Sequence, residues 1–277
     1  MKNMNIALAS YSFHGLIDVG SMNIFGYLET IYSRFHVQYA DIWTGLLPPS
    51  AIDEAHLFRV RSFMDEHDMN LANLCVDGPS VWEDDAHQRE ANRLLMLDYI
   101  RAAAILGAQT IRIDFGGKNG EMTEEAFLYI VARYKEYCAL CQVHGMKIGP
   151  ENHWGWDRNP DYLIRVRDAV NHPAYGHLLH IGNWTEGEQE KMLEACLPNL
   201  MHMHISAESL PFAKDILRRI ALTDYTGAYS VEHHSGEHEL IRVQWQLGAV
   251  KGLLAELQSE GFENTAQKSF FEKIYEE

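Results

Sequence analysis

Glutamate and histidine residues recur at a spacing of two in short apolar stretches of the second half of the chain. Residues two apart in an extended strand lie on the same face. Carboxylates and imidazoles are ligands of divalent metal ions, and both act as general acids or bases. Inside an apolar stretch they are costly unless they are paired or metal-bound. The residues concerned are Glu151 with His153, His202 with His204, Glu232 with His234, and the single His180.

The first half of the chain adds two pairs at the same spacing, Arg112 with Asp114 and Asp41 with Trp43. Each of these groups also has an ordinary structural explanation. The arginine and aspartate could form an internal ion pair, and a hydrogen-bonded core role is favoured for His153, His202 and His234. Both roles stay open for His180. Such groups at equivalent ends of several strands are hard to explain by packing, which favours a functional site around Glu151, His204 and Glu232.

The elements that would position these residues are short apolar runs that alternate with segments of helical spacing. Strands and helices in alternation predict a parallel sheet, and eight such runs predict a single (β/α)8 barrel domain over residues 1–277. A doubly wound open sheet is disfavoured because neither a GxGxxG motif nor a P-loop is present. In a barrel, chemistry is expected at the carboxyl ends of the strands. The runs begin at Asn5, Val37, Leu71, Thr110, Met146, His177, Leu200 and Ala228.

One intervening segment shows the helical pattern clearly. Thr123 is predicted as its N-cap and Gly145 as its terminator. Its apolar stripe is Phe127, Ile130, Val131, Tyr134, Cys138 and Cys141. Since both cysteines lie on that stripe, we interpret the CxxC sequence as core packing and not as a redox or zinc site. Asn159 followed by Pro160 predicts another helix start.

The composition limits the classes of partner. The 277 residues carry 23 basic and 39 acidic side chains, a formal net charge of −16. Such a surface repels phosphate backbones and anionic lipid, which disfavours nucleic-acid and membrane binding. The chain shows neither a signal-peptide pattern nor a membrane span, and its four cysteines are too few for a disulfide scaffold. We expect a cytoplasmic protein that acts on a small molecule, with homo-oligomerisation left open.

Four motifs, PENHWG, GNW, HMHIS and SVEHH, occur in order at the last four predicted strands. Together they resemble the sugar phosphate isomerase/epimerase family, the xylose isomerase-like TIM barrels of the AP endonuclease 2 superfamily. The resemblance implies a divalent metal held by one residue from each of these strands. By position those residues are Glu151, His180, His204 and Glu232.

The chain departs from the family pattern at three places. His180 stands where the family has aspartate, Asn183 stands where it often has histidine, and the lysine of the usual HxKD motif is absent after His204. Two imidazoles with two carboxylates suit Mn, Co, Zn or Fe better than Mg. The alternative is that the metal has been lost and that His180 is a general acid or base. Without the lysine, a phosphorylated substrate is disfavoured.

Tryptophans at the predicted strand ends favour a carbohydrate pocket, because aromatic faces stack on the apolar faces of sugar rings. Trp156 is one of them, although plugging of the barrel mouth would explain it equally. The residues expected to bind substrate are Trp43, Arg112, His153, Trp154, Asn183 and Trp184.

The expected activity is isomerisation or epimerisation of a keto-sugar or polyol-derived ketone through an enediolate, with Glu151 and Glu232 as the acid and base. Burial is expected to raise the pKa of one of these carboxyls towards neutrality. Elimination by a lyase or dehydratase would use the same enediolate. A metal-free or decayed sugar-binding protein is a further alternative, and a nuclease of the endonuclease IV type is disfavoured by the net charge.

Overall fold

The computed structural model describes residues 4–117 and 120–275, with side chains placed as far as residue 260. In this part of the chain, eight parallel strands follow one another in sequence. Each begins within a few residues of a position predicted from the apolar runs. The strands are β1 (Ile6–Ala9), β2 (Tyr39–Trp43), β3 (Asn70–Cys75), β4 (Ala108–Arg112), β5 (Lys147–Gly149), β6 (His177–Ile181), β7 (Leu200–Ile205) and β8 (Tyr229–Val231).

Helices join consecutive strands and cover the outside of the sheet. Nine α-helices lie in the described residues, together with short 3₁₀ and π turns. They are α1 (His14–Asp18), α2 (Ile24–Glu29), α3 (Glu54–Glu66), α4 (Ala86–Leu106), α5 (Glu124–Val143), α6 (Pro160–Val170), α7 (Gln189–Cys196), α8 (Leu210–Ala221) and α9 (Glu239–Tyr275). This is the predicted TIM barrel.

The sheet curls until its two ends nearly meet. The strand order is β5-β4-β3-β2-β1-β8-β7-β6, so β5 and β6 are the ends. Isolated parallel bridges of Ile148 with Tyr175 and of Glu151 with Leu178 join them. A Cβ on Gly149 would lie 1.7 Å from the carbonyl oxygen of Gly176, so the close approach of these two segments requires glycine. All strands therefore present their carboxyl ends at one rim.

The helix signals in the sequence act as predicted. The Thr123 side chain accepts a hydrogen bond from the Ala126 amide at the start of α5, and the Asn159 side chain caps α6 in the same way, with Pro160 in its first turn. The predicted stripe of α5 is buried against the barrel, including Cys138 and Cys141, so the core interpretation of the CxxC sequence is confirmed. Among the described residues, none of the helices combines the length and apolar character needed to cross a membrane.

Candidate functional site

Four side chains converge at the carboxyl end of the barrel. Glu151 follows β5, His180 lies in β6, His204 lies in β7 and Glu232 directly follows β8. All four are buried, and each offers a potential ligand atom within 4.8 Å of those of the others. The structure thus brings together the four residues that the family resemblance assigned to a metal.

The two imidazoles lie between the two carboxylates. The Nδ1 atom of His204 is 2.9 Å from Oε1 of Glu151 and 3.3 Å from Oε2 of Glu232. The Nδ1 atom of His180 is 3.0 Å and 3.6 Å from the same two oxygens. Both glutamates therefore reach common atoms, although they come from strands on different sides of the barrel.

Asn152, which sequence reasoning missed, fixes the backbone that carries His180. Its Oδ1 accepts a hydrogen bond from the His180 amide at 2.7 Å, and its Nδ2 donates to the carbonyls of His180 and Asn183 at 3.1 and 2.8 Å. These bonds replace the strand ladder at the place where β5 has already ended. The letters ENH gave no signal for this role, because it depends on the gap between β5 and β6.

Arg112 places one positive charge beside Glu151. Its Nε atom is 3.0 Å from Oε2 of Glu151, and its Nη1 atom contacts Asp77 at 2.5 Å and Asp114 at 3.0 Å. The predicted ion pair of Arg112 with Asp114 is therefore present. Asp77 was missed, although its place two residues after Cys75, where β3 ends, was a usable signal. It also accepts a hydrogen bond from Nε1 of Trp43 at 2.5 Å.

Asp41, on β2, links further histidines to the site. Its Oδ2 atom accepts hydrogen bonds from Nε2 of His202 at 2.8 Å, from Nε2 of His204 at 3.0 Å and from the Ser230 hydroxyl at 2.7 Å. His202 is thus a hydrogen-bonded buried histidine, as the core interpretation predicted. His234 contacts the other end of the site, with Nε2 at 2.9 Å from Oε2 of Glu232.

The carboxyl pKa values differ from the expectation. Burial alone would raise the pKa of Glu151, but the charges of His204 and Arg112 and the hydrogen bonds from both imidazoles outweigh burial and hold the pKa well below its usual range. The pKa of Glu232 is lowered too, because His204 again outweighs burial. The predicted rise was therefore wrong for both glutamates. Burial instead raises the pKa of Asp114 to about 7.

His204 is the positive partner in this arrangement. Burial would lower the pKa of its imidazole, but the charges of Glu232, Glu151 and Asp41 prevail and raise that pKa well above its usual value. Ionised carboxylates only accept hydrogen bonds, so both ring nitrogens of His204 donate. A metal ion at this site would replace the proton on Nδ1.

The residues fit a divalent cation. Two ligands of one tetrahedral ion, at bonds of 2.0–2.2 Å, lie about 3.3–3.6 Å apart. The separations between imidazole nitrogens and carboxylate oxygens here are 2.9–3.6 Å, close to that value. The Oε2 atom of Glu151 is buried and makes no hydrogen bond in the described part of the chain, but it lies 3.0 Å from Nε of Arg112 and 3.5 Å from Nδ1 of His153. Two carboxylate oxygens and two imidazole nitrogens could hold an ion, and a buried carboxylate oxygen without a hydrogen bond is consistent with one.

A cavity of about 370 Å³ opens above Glu232. Its size falls in the range of small-molecule pockets. Trp154 is 54% exposed at its mouth, and its ring lies 4.1 Å from that of His153. The residues that line the cavity are Ala9, Tyr11, Asp41, Trp43, Cys75, Asp77, Arg112, His153, Trp154, Glu232 and His234.

Four of the six residues expected to bind substrate line this cavity, and two do not. Trp43, Arg112, His153 and Trp154 are in the lining. Asn183 contacts Asn152 and the backbone of His153, and Trp184 packs against Phe212 with ring centroids 6.2 Å apart. A role in substrate binding stays a prediction for all six. Trp156, buried, donates to the Gly120 carbonyl and helps to close the barrel end.

Comparison with known protein families gives one match. The family described as "xylose isomerase-like TIM barrel" matches residues 37–255. A comparison with curated protein sequences gives no match.

Solved structures share the fold at low sequence identity. A D-allulose 3-epimerase from Methylomonas sp. is 16% identical with a TM-score of 0.69, over 93% of this chain and 99% of that one. A xylose isomerase-like TIM barrel protein from Mycobacterium smegmatis in complex with magnesium is 15% identical, with a TM-score of 0.68 and coverage of 91% and 98%. A probable 3-DHS dehydratase from Bacillus anthracis is 13% identical, with a TM-score of 0.65 and coverage of 90% and 99%.

Proposed function

This chain belongs to the xylose isomerase-like TIM barrel family, and we propose that it is a metal-dependent isomerase or epimerase of an uncharged keto-sugar or polyol-derived ketone. The observation that carries the proposal is the convergence of Glu151, His180, His204 and Glu232 beside a small cavity. A D-allulose 3-epimerase has a similar fold, which is consistent with this reaction class. The argument rests on the converging residues and not on the fold, because the same barrel hosts many reactions.

The four converging residues would hold the metal. Their mixed nitrogen and oxygen donors suit Mn, Co, Zn or Fe better than Mg, although a structure of similar fold contains magnesium. When bound, a divalent ion polarises a substrate carbonyl and stabilises negative charge on its oxygen. The remaining requirements of the reaction fall to the protein side chains.

Glu151 and Glu232 would move the proton. Both carboxyl pKa values are lowered, so both groups are ionised and in the form that accepts a proton. One carboxylate removes the proton on the carbon beside the carbonyl, which leaves an enediolate. Epimerisation requires the other carboxylate to take a proton from solvent water and donate it to the opposite face of the same carbon. Return of the abstracted proton to the former carbonyl carbon, with the hydroxyl proton passing between the two oxygens, gives isomerisation.

The cavity favours a neutral substrate. Its lining includes the carboxylates of Asp41, Asp77 and Glu232 but a single arginine, and that arginine already faces three carboxylates. A phosphate or carboxylate on the substrate would meet this negative surface, and among the described residues that line the cavity the arginine is already paired with carboxylates. Tyr11, Trp43 and Trp154 offer aromatic faces to a sugar ring instead.

Elimination is the second candidate function. His153 lines the cavity, and its Nδ1 atom is buried without a hydrogen-bond partner in the described part of the chain. An imidazole placed there could assist departure of a β-hydroxyl or alkoxyl group from the same enediolate. A probable dehydratase of similar fold supports this alternative.

Proton exchange tests the proposal without knowledge of the product. Protein loaded with Mn(II), Co(II), Zn(II) or Mg(II) is incubated in D₂O with uncharged ketohexoses and cyclic polyol ketones, and NMR follows loss of the C–H signal beside the carbonyl. We expect exchange with at least one compound, and new signals would distinguish epimer, aldose and elimination product. Glu151→Gln and Glu232→Gln are expected to slow exchange by about 10²–10⁴-fold.

Asp157→Asn is the matched control, because Asp157 is a buried carboxyl that contacts the Phe115 amide and not the cluster. Its exchange rate is expected to equal that of the unaltered protein. Absence of exchange for every compound and metal, or an unchanged rate in both glutamine variants, would contradict the proposal. Sugar binding without exchange would favour the decayed, binding-only alternative.

A further inference from the structure

Asp41 is buried in the barrel interior and is not one of the four converging residues. It lies on β2, across the barrel from the strand that carries His204. We propose that Asp41 is a positioning residue that fixes the ring of His204 so that Nδ1, and not Nε2, is the atom presented to the metal. The inference rests on the metal site of the proposed function.

The contacts of the His204 ring divide cleanly between its two nitrogens. The Nε2 atom lies 3.0 Å from Oδ2 of Asp41, and the Nδ1 atom lies 2.9 Å from Glu151 and 3.3 Å from Glu232. A neutral imidazole that donates at one nitrogen presents its lone pair at the other. Asp41 therefore holds the hydrogen on Nε2 and leaves Nδ1 for a cation. Carboxylates of this kind orient metal-bound histidines in many proteins.

Asp41 is itself held from several directions. Its Oδ2 atom accepts from His202 at 2.8 Å and from Ser230 at 2.7 Å, and its Oδ1 atom accepts from Nδ2 of Asn73 at 3.1 Å. These donors lie on β3, β7 and β8 and so tie the carboxylate to three other strands.

The backbone of Asp41 is fixed as well. Its amide donates to the Tyr27 hydroxyl at 3.0 Å, and that hydroxyl donates to the Leu8 carbonyl at 2.5 Å on the neighbouring strand. The carboxylate is therefore pre-organised before any cation arrives, and the orientation that it imposes on His204 does not depend on the ion.

A second cation site is the competing interpretation of the same residues. Asp41, His202 and His204 also bring ligand atoms within 4.8 Å of one another. However, the Oδ2 atom of Asp41 already accepts three hydrogen bonds, and each imidazole Nε2 already points its hydrogen at it. The three side chains thus satisfy one another, whereas Oε2 of Glu151 in the first cluster has ion-pair contacts but makes no hydrogen bond in the described part of the chain.

Metal affinity and ring protonation test the proposal together. Mn(II) and Zn(II) dissociation constants and stoichiometry are measured on the full chain for the unaltered protein, Asp41→Asn, Asp41→Ala and the control Asp157→Asn. NMR of the Zn(II)-loaded protein then looks for a slowly exchanging imidazole N–H on Nε2 of His204. Ser230→Ala, which removes one donor to Asp41 but keeps the carboxylate, serves if the Asp41 variants do not fold.

We expect one ion per chain and an affinity about 10–100-fold weaker in Asp41→Ala, with a smaller loss in Asp41→Asn because the amide oxygen still accepts from Nε2. The slowly exchanging N–H is expected to disappear in the alanine variant, and Asp157→Asn should bind as the unaltered protein does. Ser230→Ala should weaken binding by about 2–3-fold, less than Asp41→Ala, because His202 and Asn73 still hold the carboxylate.

Three results would overturn the inference. The first is a folded Asp41→Ala protein, or in its place Ser230→Ala, with unchanged affinity. The second is an Nε2 atom that carries no proton in the Zn(II)-loaded protein. The third is two ions per chain with loss of only one on removal of Asp41, which would make this cluster a second cation site. If Glu151→Gln and the Asp41 variants all bind metal with unchanged affinity, the proposed function itself fails. If the Asp41 variants bind metal with unchanged affinity but Glu151→Gln does not, only the positioning role fails.

Discussion

Two buried histidines at opposite ends of the barrel differ in their hydrogen-bond partners and in their pKa values. His204, towards the carboxyl end of β7, has a carboxylate at each ring nitrogen. His177, at the start of β6, is equally buried, yet neither of its ring nitrogens has a hydrogen-bond partner in the described part of the chain. The pKa of His204 is raised by its carboxylates, whereas burial lowers the pKa of His177 to about 3.

The two histidines therefore represent two ways of burying an imidazole: charged and paired with carboxylates, or neutral. Burial by itself neutralises an imidazole, and only the acidic groups at the carboxyl end keep one charged in the barrel interior. That end is built to hold opposite charges close together, at a cost in stability. The amino end holds a ring that burial and the nearby charge of Arg167 keep neutral, as expected where a barrel supports its fold and not its chemistry.

The largest effect is expected when His204 and His177 are each replaced with leucine. His204→Leu leaves Glu151, Glu232 and Asp41 without their shared cation, and it is expected to lower the free energy of unfolding by about 3–5 kcal/mol at pH 7. Mn(II) binding should be lost with it. His177→Leu buries no unpaired charge and should keep both stability and metal affinity. Urea unfolding and metal titration measure both; equal destabilisation by the two variants would refute the contrast.

The pH dependence of stability sharpens the comparison. The pKa of His177 is about 3 in the folded chain and about 6.5 when unfolded, so the unfolded state binds the extra proton between these values. Its contribution to stability is therefore complete above pH 6.5 and is lost as the pH falls towards 3. At pH 4.5 the loss is about 2–3 kcal/mol relative to pH 7.5. His177→Leu should remove that part of the acid sensitivity.

The measurement is urea unfolding of the unaltered protein and His177→Leu at both pH values. Taking the difference between the two proteins cancels the titration of groups that the substitution does not touch. If both proteins lose the same free energy on acidification, His177 is not buried in the neutral form.

The sequence predicted the barrel well because the signals for it are local. Apolar runs, the Thr123 cap and the Asn159-Pro160 start each act over a few residues, and each appears in the structure. Position at the strand ends favoured Glu151, His204 and Glu232, and the family resemblance added His180 to them. Their convergence follows from the parallel arrangement of consecutive strands, whose carboxyl ends lie at one rim. A correct fold prediction was therefore enough to predict it.

What the sequence could not show are relations across the barrel. His177 and His180 are three residues apart in one apolar run, and nothing in that run distinguishes the unpartnered ring from the one that contacts Glu151. The role of Asp41 depends on groups from β3, β7 and β8 meeting at one carboxylate. The pKa of one of the two glutamates was expected to rise from burial, because the opposing charges of Arg112 and His204 come from other strands and were not considered.

The smallest expected effect concerns two tyrosines in contact, which test whether a buried polar group near the amino end lacks a hydrogen-bond partner. Tyr134 and Tyr175 are both buried with ring centroids 5.1 Å apart, but only the Tyr134 hydroxyl has a partner in the described chain, the Ile113 carbonyl at 2.6 Å. Tyr134→Phe should cost about 1 kcal/mol, since it orphans that carbonyl. Tyr175→Phe removes an unsatisfied hydroxyl and should be neutral or slightly stabilising in urea unfolding. A loss in Tyr175→Phe as large as in Tyr134→Phe would mean that the Tyr175 hydroxyl is bonded, and the contrast between these two tyrosines would then fail.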